Sequence, residues 1–198
     1  KQIYKRKNLF FERFIALSID KKKIKILQMK ADNKLIKRIK KLNLNSERGT
    51  IEFPIKALEF LDIIAKKINK FNGGLITFDY GNALKPNTNS LQSIKKHKYI
   101  NPFSKPGYSD ITSHINFKLF QQVLKKNNLD VKKITSQSEF LKKVGILERA
   151  NILSKNMTFK EKANMFYRLK RLLDHKEMGL LFKVLFAHKK GRKFSLGF

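Results

Sequence analysis

The sequence predicts an α/β fold, and three observations carry that expectation. An amphipathic helix over 54–71 stops at Asn72-Gly73-Gly74 and runs straight into a short apolar strand, Leu75-Ile76-Thr77-Phe78-Asp79-Tyr80. Helical and strand patterns then alternate down the rest of the chain, which is the pattern of helices packed on a sheet. An aromatic, apolar hairpin over 9–30 precedes both.

Taken in order, the chain opens on Lys1-Gln2-Ile3-Tyr4, within what reads as a strand and without an initiator Met. In the hairpin, Leu9 to Leu17 is rich in aromatic and aliphatic side chains and 24–27 partly alternates. Asp20 and the lysines after it mark the turn. Residues 31–50 are polar and carry no sharp signal. Pro54 suits a first helical turn. Behind it Ile55, Leu58, Leu61, Ile64, Ile68 and Phe71 recur every three or four residues, which predicts one buried stripe. The stretch 81–115, with turn signals at Pro86, Pro102 and Pro106-Gly107, is longer than most structureless loops and is therefore expected to be functional or partly structured. A helix is expected at 117–127, with Phe117, Phe120, Val123 and Leu124 on one face, then a strand at 129–134 and helices at 138–155. Thr158 and Glu161 form a capping box that opens a helix to about residue 173. The last strand is expected at 180–187, with Phe182, Val184 and Phe186 in the core, and a basic tail follows from Lys189.

Composition excludes several classes of function. At 198 residues and 41% hydrophobic, the chain suffices for an α/β domain with a core. No apolar run approaches the roughly 18 residues that span a bilayer, so no transmembrane segment is expected. The absence of cysteine removes disulfides, thiolate nucleophiles and cysteine-ligated zinc, and suits a reducing compartment. His97, His114, His175 and His188 show no ligand spacing, so no metal site is expected. The net charge of +30 has two readings. One is a polyanion-binding, noncatalytic module for nucleic acid or a ribonucleoprotein. The other is a bias toward A/T-encoded Lys, Asn and Ile. Lysines outnumber arginines 37 to 8 and are spread along the whole chain, which argues against sequence-specific nucleic-acid recognition.

Several segments in register resemble the MidA family, which includes mitochondrial arginine methyltransferases that assist assembly of respiratory complex I. Gly73 to Gly81 resembles its "GG-apolar-DYG" strand. His97-Lys98-Tyr99 and the run from Pro106-Gly107 to Phe117 resemble its "HxY…PGxxDLTAHVDF" segment, with Asn116 in place of the usual Asp. Gln137 to Arg149 resembles "QxxFLxxLGIxxR", and Met178 to Leu185 resembles "MGxLFKVL". The resemblance implies the C-terminal part of a class I, Rossmann-like methyltransferase sheet, mostly parallel with an antiparallel strand near one edge. Residues 1–50 would be an inserted β-hairpin region and linker, and 51–198 the C-terminal half of the methyltransferase domain. It implies S-adenosylmethionine as cofactor, held by residues upstream of Lys1, because nothing in the chain reads as strand, glycine-rich turn and helix. It further implies a protein substrate presenting an arginine of a respiratory-chain subunit. The expected compartment is the cytoplasm of a bacterium or the mitochondrial matrix of a eukaryote. Surface left open where the missing strands would pair predicts self-association, with a homodimer as one form.

The candidate catalytic residues are Asp79 and His114, and the candidate substrate-binding residues are Tyr80, His97, Asp110 and Thr112. Asp79 and Tyr80 fall at the carboxyl end of a buried strand, where open α/β sheets bind ligands. Asp79 there either pairs with a guanidinium or caps its own turn. Asp110 and Thr112 either meet substrate or cap the following helix. His114 is a candidate general base. His97 with Tyr99 either lines the cleft or fills the loop. Glu52 matches a family Glu before the helix and would otherwise place charge at a helix N-terminus. The expectation is that the Asp79 strand end and the 110–114 segment face one cleft.

Overall fold

The computed structural model describes residues 1–19, 23–44, 49–82, 89–104, 106–194 and 196–198. The expected turn at Asp20 and the turn signal at Pro86 lie outside them. The elements, in chain order, are β1 (Gln2–Arg6), β2 (Leu9–Leu17), β3 (Ile24–Lys30), α1 (Asn33–Lys41), β4 (Gly49–Glu52), α2 (Ile55–Phe71), β5 (Gly74–Asn82), β6 (Gln92–Lys95), β7 (Lys98–Ile100), β8 (Asp110–Thr112) and β9 (Ile115–Asn116). There follow α3 (Phe117–Lys126), β10 (Leu129–Val131), β11 (Thr135–Ser136), α4 (Gln137–Lys143), α5 (Ile146–Ser154), α6 (Phe159–Leu173), α7 (Met178–Leu181) and β12 (Phe182–Lys189). They fall into two compact units, Lys1–Glu59 with Leu84–Asn116 and Phe60–Ala83 with Phe117–Phe198.

The first unit is built on a four-stranded antiparallel sheet in the order β3-β2-β1-β4. The hairpin expected at 9–30 is β2–β3. The structure corrects the reading of 31–50, where the polar run contains α1 and β4. Asp32 caps α1, its side chain accepting from the Lys34 N–H at 3.3 Å. Leu35 and Ile39, four residues apart, bury one narrow stripe. That stripe is a single pair among lysines, too little for a periodic signal. The long stretch 81–115 also proves structured: β6 lies between β7 and β8 in a three-stranded sheet.

In the second unit β12 runs antiparallel to β5 on one side and to β10 and β11 on the other. It supplies the antiparallel strand that the resemblance implies. Val184, Leu185 and Ala187 are fully buried. Helix α2 begins behind Pro54, whose carbonyl accepts from Leu58 N–H at 3.0 Å, and ends where Asn72 turns left-handed at φ 60°. Its stripe is Leu58, Leu61, Ala65 and Ile68. Phe71, expected to be buried, is exposed, because it occupies the last helical position just before the chain turns away. The strand expected at 129–134 breaks after Val131. The β12 ladder pairs Val131 with Ala187 and Thr135 with Val184, which leaves one surplus residue on the shorter strands, a bulge. Helix is broken at Gly145, in a left-handed conformation at φ 84°, which separates α4 from α5. The Thr158–Glu161 capping box forms as read. Leu180 and Leu181 belong to α7 rather than to the last strand: the backbone of Gly179 lies against the carbonyls of Leu173 and Asp174, holding one helical turn before Phe182 extends.

Candidate functional site

In the second unit the site residues are set by the β5–β12 register. Asp79 stands directly opposite Lys183 and Tyr80 opposite Phe182, the last pair of that ladder, while β5 itself runs on to Asn82. Directly opposed residues of an antiparallel pair project from the same face, so Asp79 and Lys183 share one and Tyr80 and Phe182 the other. The Tyr80 and Phe182 rings lie 6.0 Å apart. One Asp79 oxygen accepts from the Tyr80 N–H at 2.8 Å, the local use expected of a strand-end Asp. Lys183 donates to the Leu180 carbonyl, and burial pushes its ammonium below the usual lysine value. Sequence reading had placed Lys183 only within a motif; its register opposite Asp79 is what makes it part of the same surface.

In the first unit a polar network organises the segment around His114. Glu52 ends β4, and its carboxylate accepts from the Ser90 N–H at 3.0 Å and from the Ser90 hydroxyl. The same hydroxyl accepts from the His114 N–H at 2.8 Å. Gln2 on β1, paired in register with Glu52, donates to Glu52 at 3.2 Å and to Asn89 at 2.8 Å. Glu52 therefore holds the segment at 89–90, and through it the backbone of His114; its carboxylate is engaged there rather than at the N-terminus of α2. Ser90 was not singled out from sequence because a lone serine beside a long loop carries no pattern.

The other candidates in this unit sit on the three-stranded sheet. Asp110 and Thr112 lie in β8, opposite Ile94 and Gln92, and α3 begins only at Phe117, so neither caps it. Asp110 is exposed. The Thr112 hydroxyl is buried without a hydrogen-bond partner among the described residues. Lys96 and His97, at φ 49° and 61°, form the two-residue turn between β6 and β7. His97 and Tyr99 are both exposed there. Asp79 and Tyr80 thus belong to one unit, and His97, Asp110, Thr112 and His114 to the other.

The described residues do not by themselves fit S-adenosylmethionine. A class I cofactor cradle needs a glycine-rich turn leading from a strand into a helix. Gly73-Gly74 leads from a helix into a strand, and Gly74 is tight for another reason: a Cβ there would lie 3.2 Å from the Phe186 ring and 3.3 Å from the Ala187 carbonyl. Among the described residues no group of three or more His, Asp or Glu is placed to hold a metal ion, and no helix is long and apolar enough to cross a membrane.

Comparison with known proteins gives a consistent result. The protein arginine methyltransferase NDUFAF7 homolog, mitochondrial, of Caenorhabditis elegans is 28% identical over 153 residues, 77% of this chain and 35% of that protein. The mitochondrial protein arginine methyltransferase NDUFAF7 of Xenopus tropicalis is 26% identical over 137 residues, 69% of this chain and 31% of that protein. A crystal structure of an uncharacterised Burkholderia thailandensis protein superposes with a TM-score of 0.80 at 21% identity, over 100% of this chain and 53% of that one. A second crystal structure from Burkholderia thailandensis, of a "likely methyl transferase" bound to S-adenosyl-homocysteine, superposes with a TM-score of 0.77 at 22% identity, over 99% of this chain and 51% of that one. The chain therefore spans about a third of the curated relatives' length and about half of the solved ones. The likeness to solved structures shows that the α/β fold is the one the motifs implied. A family model described as "Putative S-adenosyl-L-methionine-dependent methyltransferase" matches residues 1–135, so the hairpin sheet, α2, β5 and the β6–β8 sheet all lie inside that match, and the chain belongs to this methyltransferase family.

Proposed function

We propose that this chain forms the acceptor side of an S-adenosylmethionine-dependent methyltransferase whose substrate is an arginine of a protein, with a respiratory complex I subunit as the class the resemblance implies. The observation that carries the reading is the Asp79 carboxylate at the last paired positions of β5, a negative group in a chain of net charge +30. A carboxylate at a strand end can hold a guanidinium in a paired hydrogen bond. Tyr80 is the candidate substrate contact beside Asp79. In the first unit, Asp110 is a candidate acceptor, His97 and Thr112 are candidate substrate contacts and His114 a candidate general base, each on the strength of the resemblance. The family match supports the reaction class, and the names of the relatives support the arginine substrate and a mitochondrial compartment. Cofactor binding is assigned to protein outside these residues, so the chain alone is expected to bind S-adenosylmethionine poorly by calorimetry.

The test is methyl transfer to an arginine-containing peptide by the whole protein carrying Asp79→Asn. Turnover is expected to fall by at least about tenfold, the loss of one charge-assisted pair, with thermal stability nearly unchanged. Full turnover with Asp79→Asn would remove Asp79 from the site.

A further inference from the structure

We propose that the β2–β3 hairpin is an arm that settles into the interface of an anionic lipid surface. β3 is the outermost strand of its sheet, and all seven of its residues are at least partly exposed. What it exposes is unusual for an outer strand. Such strands normally carry charge to discourage association. Here Ile15 stands opposite Ile26 on one face and Phe14 opposite Leu27 on the other, and all four side chains are exposed. Leu17 extends the first face, and Ile19 beyond it is fully exposed. The arm therefore presents aliphatic groups on both faces, which suits insertion into an apolar medium rather than packing by one face against a sheet.

The charges on the arm select the medium. Lys23 and Lys25 stand at the distal end and Lys30 at its base, with long stems that let the ammonium reach headgroup phosphates while the aliphatics go deeper. Leu17, Lys23 and Ile24 also line an open hollow of about 530 Å³ with Asn101, Phe103 and Ser104, so a surface of mixed apolar and polar groups continues from the arm onto the segment between β7 and β8. Nearby, Tyr99 in β7 and Tyr108 just before β8 are exposed, and the Lys95 ammonium lies 5.6 Å from the Tyr108 ring centre. Exposed tyrosines with lysines are the side chains that favour a membrane–water boundary. A second copy is a poor occupant, since each copy carries +30. Sequence-specific nucleic acid is also a poor one, since the paired groups on the arm are mainly aliphatic and present no hydrogen-bonding pattern to base edges.

The experiment is flotation of the chain with vesicles of phosphatidylcholine alone and of phosphatidylcholine containing phosphatidylglycerol, at physiological salt. Binding is expected only to the anionic vesicles. The double variant Ile15→Asn with Ile26→Asn, which leaves the charge unchanged, is expected to weaken that binding by about tenfold or more. A matched control, Ile152→Asn with Phe159→Asn, removes exposed apolar groups in the other unit and should leave it unaltered. Far-UV circular dichroism confirms that both variants keep the fold. The proposal is overturned by failure to bind anionic vesicles, by binding that the arm variant leaves intact, or by equal losses in both variants. A concentration-dependent dimer that the arm variant abolishes, without vesicle binding, would assign the arm to a second copy instead.

Discussion

β12 and β3 are similar strands by sequence, both mixing β-branched and other aliphatic residues with lysines, yet they end in opposite environments. β12 has strands on both sides, and Val184, Leu185 and Ala187 are shut away from solvent. β3 has a neighbour on one side only, and six of its seven residues are exposed. Apolar content therefore does not set burial here; what covers the faces does, since β12 is packed by α3, α4 and α7 as well as by its neighbouring strands, whereas the extensive packing of β3 is with β2 alone. The same residues that hold the second unit together are, on β3, available to something outside the chain.

Mutations should separate the two strands sharply. Leu185→Ala should cost about 2–5 kcal/mol in urea unfolding, the loss of a buried side chain plus the cavity it leaves. Ile26→Ala should stay within about 0.5 kcal/mol, as for a surface position. Equal costs would dissolve the contrast.

Gly179→Ala probes how β12 is delivered to its place. An added methyl would overlap the backbone carbonyls of Leu173 and Asp174, which cannot move as a side-chain end could. A loss of about 1–3 kcal/mol is expected from such overpacking, read by thermal denaturation. A neutral result would show that α7 tolerates displacement and does not define the start of β12.

In the first unit the fixed part is the polar network rather than the arm. Ser90→Ala removes the hydroxyl that joins Glu52 to His114 and should cost about 1–2 kcal/mol, with faster amide exchange at His114. Unchanged exchange there would mean that Ser90 does not anchor the segment.

The smallest effect concerns pH. Hydrogen bonding from Thr135, reinforced by Lys143, holds Glu139 below its ordinary value of 4.5. A depressed carboxylate contributes stability that is present above the unfolded value and lost as pH falls through the folded one. The stability gap between the wild-type chain and Thr135→Val should therefore be widest near neutral pH and narrow below about 4.5. A gap that stays constant through that range would show that the Thr135 hydroxyl does not act through Glu139.

Much of this was legible before any coordinates. The hairpin at 9–30, the α2 helix with its stop at Asn72, the buried face of α3 and the Thr158–Glu161 box all follow from short-range pattern, and the ordered motifs pointed to the family that the comparison found. Where reading failed, the controlling contact was distant in sequence. β4 hides because its few apolar residues acquire meaning only against β1, and α1 because Leu35 and Ile39 are the only pair it buries among lysines. Leu180 and Leu181 look like strand until Gly179 meets the Leu173 carbonyl.

The site divides the same way. Sequence by itself determined which side chains carry usable chemistry: carboxylates at Asp79 and Asp110, an imidazole at His114, and no thiol anywhere. Tertiary structure decided their company. Register across β5 and β12 put Lys183 on the face of Asp79, and the fold brought the Ser90 hydroxyl, 38 residues from Glu52, between the Glu52 carboxylate and the His114 backbone. Local pattern reports propensity and periodicity, which depend on near neighbours. Strand pairing and side-chain networks join residues far apart in the chain, and only the folded backbone specifies which ones meet.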